Sequence, residues 1–188
     1  MKNFKQQSHQ GFSLIVVMIM LVVIGLTAAS AMRGATASQK VTNNVRLDNL
    51  AQQYAEAALR YCESQLQLAD AARVNTLKVA VIPTVDMTVA GAVPAWQNVT
   101  SWTGAAGSGG ASATRTALPQ AQYSTLGLSS TLPARPPECV AEIQNIAAAT
   151  PFTVTVITAR GFSPNYAADV NGNTTAGSVV WLQSIVNL

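Results

Sequence analysis

The chain has 188 residues, of which 10% are charged and 49% are hydrophobic, and its formal net charge at pH 7 is +3. This length fits one ordinary domain plus an anchor, and the composition excludes a highly charged disordered chain. Removal of residues 1–11, which contain Lys2 and Lys5, would leave nine basic and eight acidic side chains. A net charge of +1 is a weak basis for predicting nucleic-acid binding.

The first 32 residues divide into a polar leader and an apolar run. Residues 1–11 contain two lysines and no acid, and residues 12–32 contain no charged side chain before Arg33 ends the run. A helix of this length spans roughly 30 Å, the thickness of the hydrocarbon core of a bilayer. The lysines ahead of the run predict a cytoplasmic N-terminus and an exported C-terminal part.

Three interpretations of this N-terminal segment compete. Residues 28–31, Ala-Ala-Ser-Ala, resemble the cleavage site of a secretory signal peptide, but the apolar run is long for such a peptide. An uncleaved signal anchor is the second interpretation. In the third, residues 11–15, Gly-Phe-Ser-Leu-Ile, resemble the site cut by prepilin peptidase, which cleaves after the glycine and methylates the new amine. We favour the third, which implies cleavage between Gly11 and Phe12 and N-methylation of Phe12.

A helical pattern continues beyond the apolar run. Apolar or small side chains recur every three or four positions within 47–69 and form one stripe. No proline precedes Pro83, and Gly34 is a weak point in the pattern. The sequence therefore predicts one helix over about 12–72, with residues 12–32 in the membrane and residues 33–72 as an amphipathic second half.

Residues 73–188 form the predicted head domain. Its first part, 73–138, is rich in proline, and its Gly-, Ala- and Ser-rich stretch predicts a flexible loop near 104–118. Short strands are expected at 77–81 and 85–89.

The C-terminal part of the head has clearer strand signals. Residues 153–159 alternate and are β-branched, with Arg160-Gly161 closing the strand, and residues 179–186 form another such run. With Asn171-Gly172 as a turn signal, they predict an antiparallel hairpin over 153–186. A strand at 139–143 is expected beside this hairpin. The helix stripe would cover the apolar face, which makes the predicted fold α+β, a long helix packed on a small antiparallel sheet.

Cys62 and Cys139 are the two cysteines. The anchor places both outside the cytosol, where disulfides persist, so we expect a bridge between helix and head. Two buried free thiols are the alternative.

The residue types argue against an enzyme and against a cofactor. His9 is the one histidine and lies in the leader, so the processed chain would lack a Ser-His-Asp, Cys-His or histidine metal site. Residues 169–173, Asp-Val-Asn-Gly-Asn, place oxygen side chains at alternate positions, as a calcium loop does. However, the glycine stands at the fourth position rather than the sixth, and no acid follows at the twelfth. A polar hairpin loop is the favoured interpretation.

Three stretches of the chain carry a family resemblance. They are GFSLIVVMIMLVVIGLTAASAMR at 11–33, NVRLDNLAQQYAEAALRYCE at 44–63, and the strands FTVTVITARGF and VVWLQSIV at 152–162 and 179–186. Together they resemble the PilX-type minor pilins of type IV pili. Residues 73–138 resemble no family that we can name. The resemblance implies a type IV pilin fold and a subunit held in the inner membrane, with its head in the periplasm, before it reaches the pilus tip.

The resemblance also implies partners. They are prepilin peptidase, inner-membrane lipid, the inner-membrane assembly platform, the major pilin, other minor pilins of the PilV, PilW and FimU types, and a large tip adhesin. Major pilins carry a glutamate as the fifth residue after the cut, thought to pair with the N-terminal amine of a neighbouring subunit, and here that residue is Val16. A subunit at the tip has no subunit above it, so the resemblance implies a minor pilin that initiates assembly.

Two alternatives remain open at this point. One is a GspK-like pseudopilin of a type II secretion system, although that family carries a large inserted domain for which this head is small. The other is a minor pilin that binds DNA or a surface directly through Arg115, Tyr123 and Arg135, which are sparse for a basic-aromatic patch.

Overall fold

The computed structural model describes residues 10–103, 114–124, 132–146, 152–169 and 172–187. The chain divides into two compact units, Met1–Asn43 and Asn44–Leu188. Helix α1, Gln10–Leu66, runs through the boundary between them, and Gly34 does not interrupt it. The single long helix is therefore confirmed.

The end of α1 lies earlier than the predicted residue 72. After Leu66 the chain leaves the helix, and Asp70–Ala72 forms a separate 3₁₀ turn. The Arg73 side chain donates from Nη2 to the carbonyl oxygen of Leu66 at 2.7 Å and from Nε to that of Leu68 at 2.9 Å. These oxygens would otherwise lack partners at the helix terminus, so a residue beyond the helix stabilises its end.

The head contains seven strands and a short helix among the described residues. The strands are β1 Thr84–Asp86, β2 Arg115–Ala117, β3 Glu138–Ile146, β4 Phe152–Phe162, β5 Ala167–Ala168, β6 Thr174–Ala176 and β7 Val179–Val186, and helix α2 is Gln120–Tyr123. The main sheet has the order β1-β3-β4-β7, with β2 also paired to β3, and β5 and β6 pair separately.

The two strands expected to form a C-terminal hairpin pair antiparallel, with a strand beside them, but β5 and β6 lie between them in the chain. β4 pairs antiparallel with β7 and with β3, in a register that places Arg160 between Glu138 and Trp181. The prediction that the sheet is entirely antiparallel is wrong, because β1 runs parallel to β3. Parallel pairing requires a crossover connection rather than a hairpin, and the long segment between these two strands provides one.

Two strand predictions near residue 80 need correction. No strand forms at 77–81, because the amides of Val81 and Ile82 both donate to the Lys78 carbonyl oxygen in local turns, at 2.8 and 3.0 Å. The strand expected at 85–89 is short and ends at Asp86. Its carboxylate accepts from the backbone N–H of Thr88 at 3.0 Å, which turns the chain.

Two further boundaries differ from prediction. β4 does not close at Arg160-Gly161 but continues to Phe162, since these residues stay paired with β7. The loop expected near 104–118 includes β2, which pairs with β3, while residues 104–113 lie outside the described residues.

The core lies between α1 and one face of the sheet. The buried helix residues follow the predicted stripe and are Ala51, Tyr54, Ala55, Ala58, Cys62 and Leu66. Opposite them lie the buried strand residues Cys139, Ala141, Ile157 and Ala159. The predicted cover of the sheet by the helix is confirmed.

A disulfide joins Cys62 on α1 to Cys139 on β3, as the sequence predicted, with a Cα–Cα distance of 6.7 Å. The two residues are 77 positions apart in the chain. Closing a loop of this length in the unfolded chain is worth about 4 kcal/mol in the chain-entropy account. The bridge thus ties the helix to the centre of the sheet.

Candidate functional site

The first part of α1 presents an apolar surface to its surroundings. Every large hydrophobic side chain from Leu14 to Leu26 is exposed, and so is Met32. By length and composition, this helix is able to cross a membrane. An apolar helix surface of this extent is unfavourable in water and is suited to lipid or to packing against similar helices.

The predicted processing residues lie at the start of this helix. Gly11 and Phe12 belong to the first turn of α1. Val16 follows one turn later, and no acidic residue occurs in the chain before Asp48. The apolar surface therefore carries no carboxylate that would need a partner in lipid.

The second candidate site lies on the face of the head sheet that α1 does not cover. Side chains alternate along β4, so that Ile157 and Ala159 pack towards the helix and Arg160 lies on the opposite face. The strand register places Glu138, Arg160 and Trp181 side by side across β3, β4 and β7. We call this surface the outer face.

Glu138 is the centre of a charge cluster on the outer face. Its buried carboxylate pairs with the Arg160 guanidinium, lies 3.3 Å from Nε of Arg115 and lies 3.9 Å from Nη2 of Arg135. Arg115 and Arg160 are both buried, whereas Arg135 is part-exposed. Buried charges of this kind remain in a fold only when they are paired and hydrogen-bonded.

Aromatic rings surround the Arg160 guanidinium. Its central carbon lies 4.5 Å from the ring centroid of Trp102 and 5.2 Å from those of Phe162 and Trp181. The group also donates to the Trp102 carbonyl oxygen at 2.8 Å. Since the two tryptophans meet edge to face with centroids 4.7 Å apart, the guanidinium has a fixed position and a fixed orientation.

Burial lowers the pKa of Arg160 from its ordinary value, against the opposing effect of the nearby Glu138 carboxylate. The pKa of Arg115 is lowered for the same reason. Guanidinium groups remain protonated in proteins despite such shifts, so both side chains keep their charge.

A cavity of about 540 Å³ opens beside this cluster. Its walls include Trp102, Arg135, Arg160, Asp169 and Trp181. A cavity with aromatic walls and fixed guanidinium groups is suited to binding an anionic group. The sequence did not predict it, because these five residues come from five separate parts of the chain and no motif links them.

A second buried carboxylate, that of Glu142, lies further along β3. It accepts hydrogen bonds from the backbone N–H of Ala95 and from the Gln144 side chain. Burial raises the pKa of Glu142, and these hydrogen bonds oppose the rise. The Glu142 side chain therefore anchors the segment before Trp96 to the sheet.

The basic-aromatic surface considered for DNA binding does not form, because two of its three residues are buried. Arg115 is 2% exposed and Tyr123 is 7% exposed, so neither presents its polar group to a nucleic acid. Tyr123 packs edge to face against Tyr54 of α1, and Arg115 belongs to the Glu138 cluster. Arg135 alone of the three is part-exposed.

Asp169, Gly172 and Asn173 lie between β5 and β6, where a polar hairpin loop was expected, while Val170 and Asn171 lie outside the described residues. The Asp169 carboxylate accepts from the backbone N–H and the side-chain amide of Asn173, at 2.8 and 2.9 Å. Within the described ranges, no cluster of three or more His, Cys, Asp or Glu side chains could hold a metal ion.

Comparison with known proteins gives one match. A family model described as PilX N-terminal matches residues 10–60, which is 51 of the 188 residues and most of α1. No curated protein and no solved structure matches the chain. The match confirms, over this part of the chain, the resemblance that the N-terminal motifs carry.

Proposed function

We propose that this chain is a PilX-type minor pilin that helps to initiate assembly of a type IV pilus and remains at the pilus tip. The family match supports the coarser assignment to a type IV pilus minor pilin. A long apolar N-terminal helix fits anchoring in the inner membrane before incorporation into a pilus. The tip position goes beyond these findings and rests on one residue.

Val16 is the observation that carries the proposed position. In major pilins, the glutamate at the corresponding position is thought to pair with the N-terminal amine of a neighbouring subunit. A charged side chain in the membrane costs at least about 2.5 kcal/mol without a partner. A subunit with no neighbour above it gains nothing from such a carboxylate, and the apolar Val16 avoids its cost.

The proposed order of processing and assembly follows from the N-terminal motif. Prepilin peptidase cleaves between Gly11 and Phe12 and methylates Phe12 while the helix is in the inner membrane. The head lies in the periplasm. The assembly platform then moves the subunit, with other minor pilins, into the tip, where the major pilin and a tip adhesin are its neighbours. The resulting pilus supports motility, adhesion or DNA uptake.

Processing is tested by mass spectrometry of the protein isolated from its own membrane. We expect a chain that begins with N-methylated Phe12. The Gly11→Leu variant should keep residues 1–11, because a bulky side chain occupies the cleavage position. Gly34→Ala is the matched control, since nothing lies within 4 Å of the added Cβ, and it should be processed normally. A mature N-terminus near Arg33 would show signal-peptide cleavage instead and would overturn the proposal.

The tip position is tested by complementing a deletion strain. Deletion should reduce surface piliation at an unchanged major-pilin level, and wild-type protein and Val16→Leu should restore it. Val16→Glu should restore it poorly, because its carboxylate has no partner at the tip. Full restoration by Val16→Glu would contradict the argument from Val16. Normal piliation with lost protein secretion in the deletion strain would indicate a pseudopilin.

A further inference from the structure

We propose that the cavity on the outer face binds the carboxylate side chain of an acidic peptide segment presented by a partner protein. This cavity is the 540 Å³ space beside Arg135, Arg160 and Trp181. The inference concerns the head alone and does not depend on the role proposed for the N-terminal helix.

Positive charge is in excess around the cavity. Three guanidinium groups, those of Arg115, Arg135 and Arg160, surround the single carboxylate of Glu138. Asp169 contributes one further carboxylate at the cavity wall. Three positive charges are thus accompanied by two negative ones, and a bound carboxylate would balance them.

Other segments of the head do not supply this negative charge. Residues 104–113, 125–131, 147–151 and 170–171, which lie outside the described residues, contain no Asp or Glu. The other acidic side chains of the head sheet and the loop before it interact elsewhere: Asp70 with Arg73, Asp86 with Thr88, and Glu142 with Ala95 and Gln144. We therefore expect a further carboxylate, beyond that of Asp169, to come from a partner.

The guanidinium groups are prepared to receive a carboxylate. Arg160 is more than nine-tenths buried, lines the cavity and lies beside the rings of Trp102 and Trp181. Its Nε and Nη2 already donate to Glu138 and to the Trp102 carbonyl oxygen, so Arg160 contributes a fixed positive charge at the cavity wall. The part-exposed Arg135 guanidinium is the planar group that would bind a carboxylate in two parallel hydrogen bonds. Because the rings and Glu138 already fix Arg160, its charge needs little further ordering on binding.

The surface around the cavity favours a peptide over a nucleic acid. Residues 44–188 contain seven basic and eight acidic side chains, so this unit carries no net positive charge to attract a polyanion. Trp181 and Ile185, on the same side of β7, are 44% and 69% exposed. An exposed tryptophan beside a fixed arginine is a common centre of protein–protein interfaces.

The ligand class is tested with the full-length protein in detergent micelles, its disulfide intact. The protein is screened against arrayed short peptides that have a fixed central glutamate and randomised flanks, and against a matched array with glutamine at that position. We expect selected glutamate peptides to bind at least about tenfold more tightly than their glutamine counterparts. Equal binding by both arrays, or no binding by either, would overturn the proposal.

The site is tested with two arginine variants. Arg135→Gln removes a part-exposed cavity charge and should weaken binding of the selected peptides about tenfold. Arg60→Gln is the matched control, because Arg60 is 79% exposed on α1 and lies outside the cavity, and it should bind as wild type does. Equal thermal midpoints establish that both variants are folded. Unchanged binding by Arg135→Gln would overturn the site, and tighter binding of short single-stranded DNA than of any glutamate peptide would overturn the ligand class.

Discussion

At the scale of single residues, two buried carboxylates on β3 have different partners: one is surrounded by charged groups and the other by neutral hydrogen-bond donors. Glu138 is surrounded by guanidinium groups, so its negative charge is balanced at short range. Glu142 has no basic side chain among its described partners and accepts from the backbone N–H groups of Ala95 and Trp96 and from the Gln144 amide. Burial therefore favours the protonated form of Glu142 and raises its pKa.

The raised pKa of Glu142 predicts a pH dependence of stability. The folded state holds a proton that the unfolded state has already lost, so this residue's contribution to stability is complete below its ordinary pKa of 4.5. The contribution declines as the pH rises from that value through the raised folded-state pKa. We expect Glu142→Gln to remove this decline and to be relatively more stable than wild type at neutral pH, as measured by chemical unfolding across this range.

Asp48→Asn is the matched control, because it replaces an exposed carboxylate of α1 with the corresponding amide. Asp86 has a lowered pKa, owing to its hydrogen bonds from Thr88, and gives a slope of opposite sign. That slope is common to all three proteins and cancels in the comparison. An unfolding profile of Glu142→Gln that runs parallel to that of wild type would contradict the prediction.

At the scale of elements, the contact between α1 and β4 depends on the absence of a side chain at Gly161. A Cβ at this position would lie 2.2 Å from the Ala51 carbonyl oxygen and 2.2 Å from the Ala55 backbone nitrogen. The backbone of the helix thus rests directly on the strand. This close approach also explains why the Arg-Gly pair does not end β4, since the glycine serves packing rather than a turn.

Gly161→Ala should therefore destabilise the head by about 3 kcal/mol, because helix and strand must move apart. The measurement is the free energy of chemical unfolding. Gly91→Ala is the comparison, since Gly91 has a φ of +85° but open space around it, and its cost should be about 1 kcal/mol from the backbone alone. Equal losses of unfolding free energy in the two variants would contradict the predicted collision between a Cβ at position 161 and the backbone of α1.

At the scale of the whole molecule, the two units differ in charge and in the surface they present. Residues 1–43 hold four basic side chains and no acid, whereas residues 44–188 have a net charge of −1. The exposed apolar helix surface belongs to the first unit, and the disulfide and the packed core belong to the second. The second unit thus contains the contacts that a folded domain requires.

This division predicts that residues 44–188, exported to an oxidising compartment, fold without the first unit. We expect a cooperative thermal transition, a near-ultraviolet circular dichroism signal and no free thiol after denaturation. Residues 67–188 are the matched control and should not fold, because they lack the helix that covers the sheet and lack Cys62. Comparable transitions for both fragments would show that the sheet is stable without α1.

The sequence by itself determined the features that depend on local pattern. The apolar run, the stripe within 47–69 and the β-branched strands at 153–159 and 179–186 each follow from side-chain periodicity, which acts over a few residues. The two cysteines and their expected position outside the cytosol were sufficient to predict the disulfide.

Only the tertiary structure decided the features that depend on partners distant in the chain. The Arg73 side chain, which lies beyond α1, stabilises the end of that helix, and β1 runs parallel to β3, with which it pairs. The Glu138 carboxylate allows Arg115 to lie inside the head rather than on its surface. The cavity on the outer face arises in the same way. A charged side chain has no periodicity that reveals its burial, because burial is favourable only once a distant counter-charge is in contact with it.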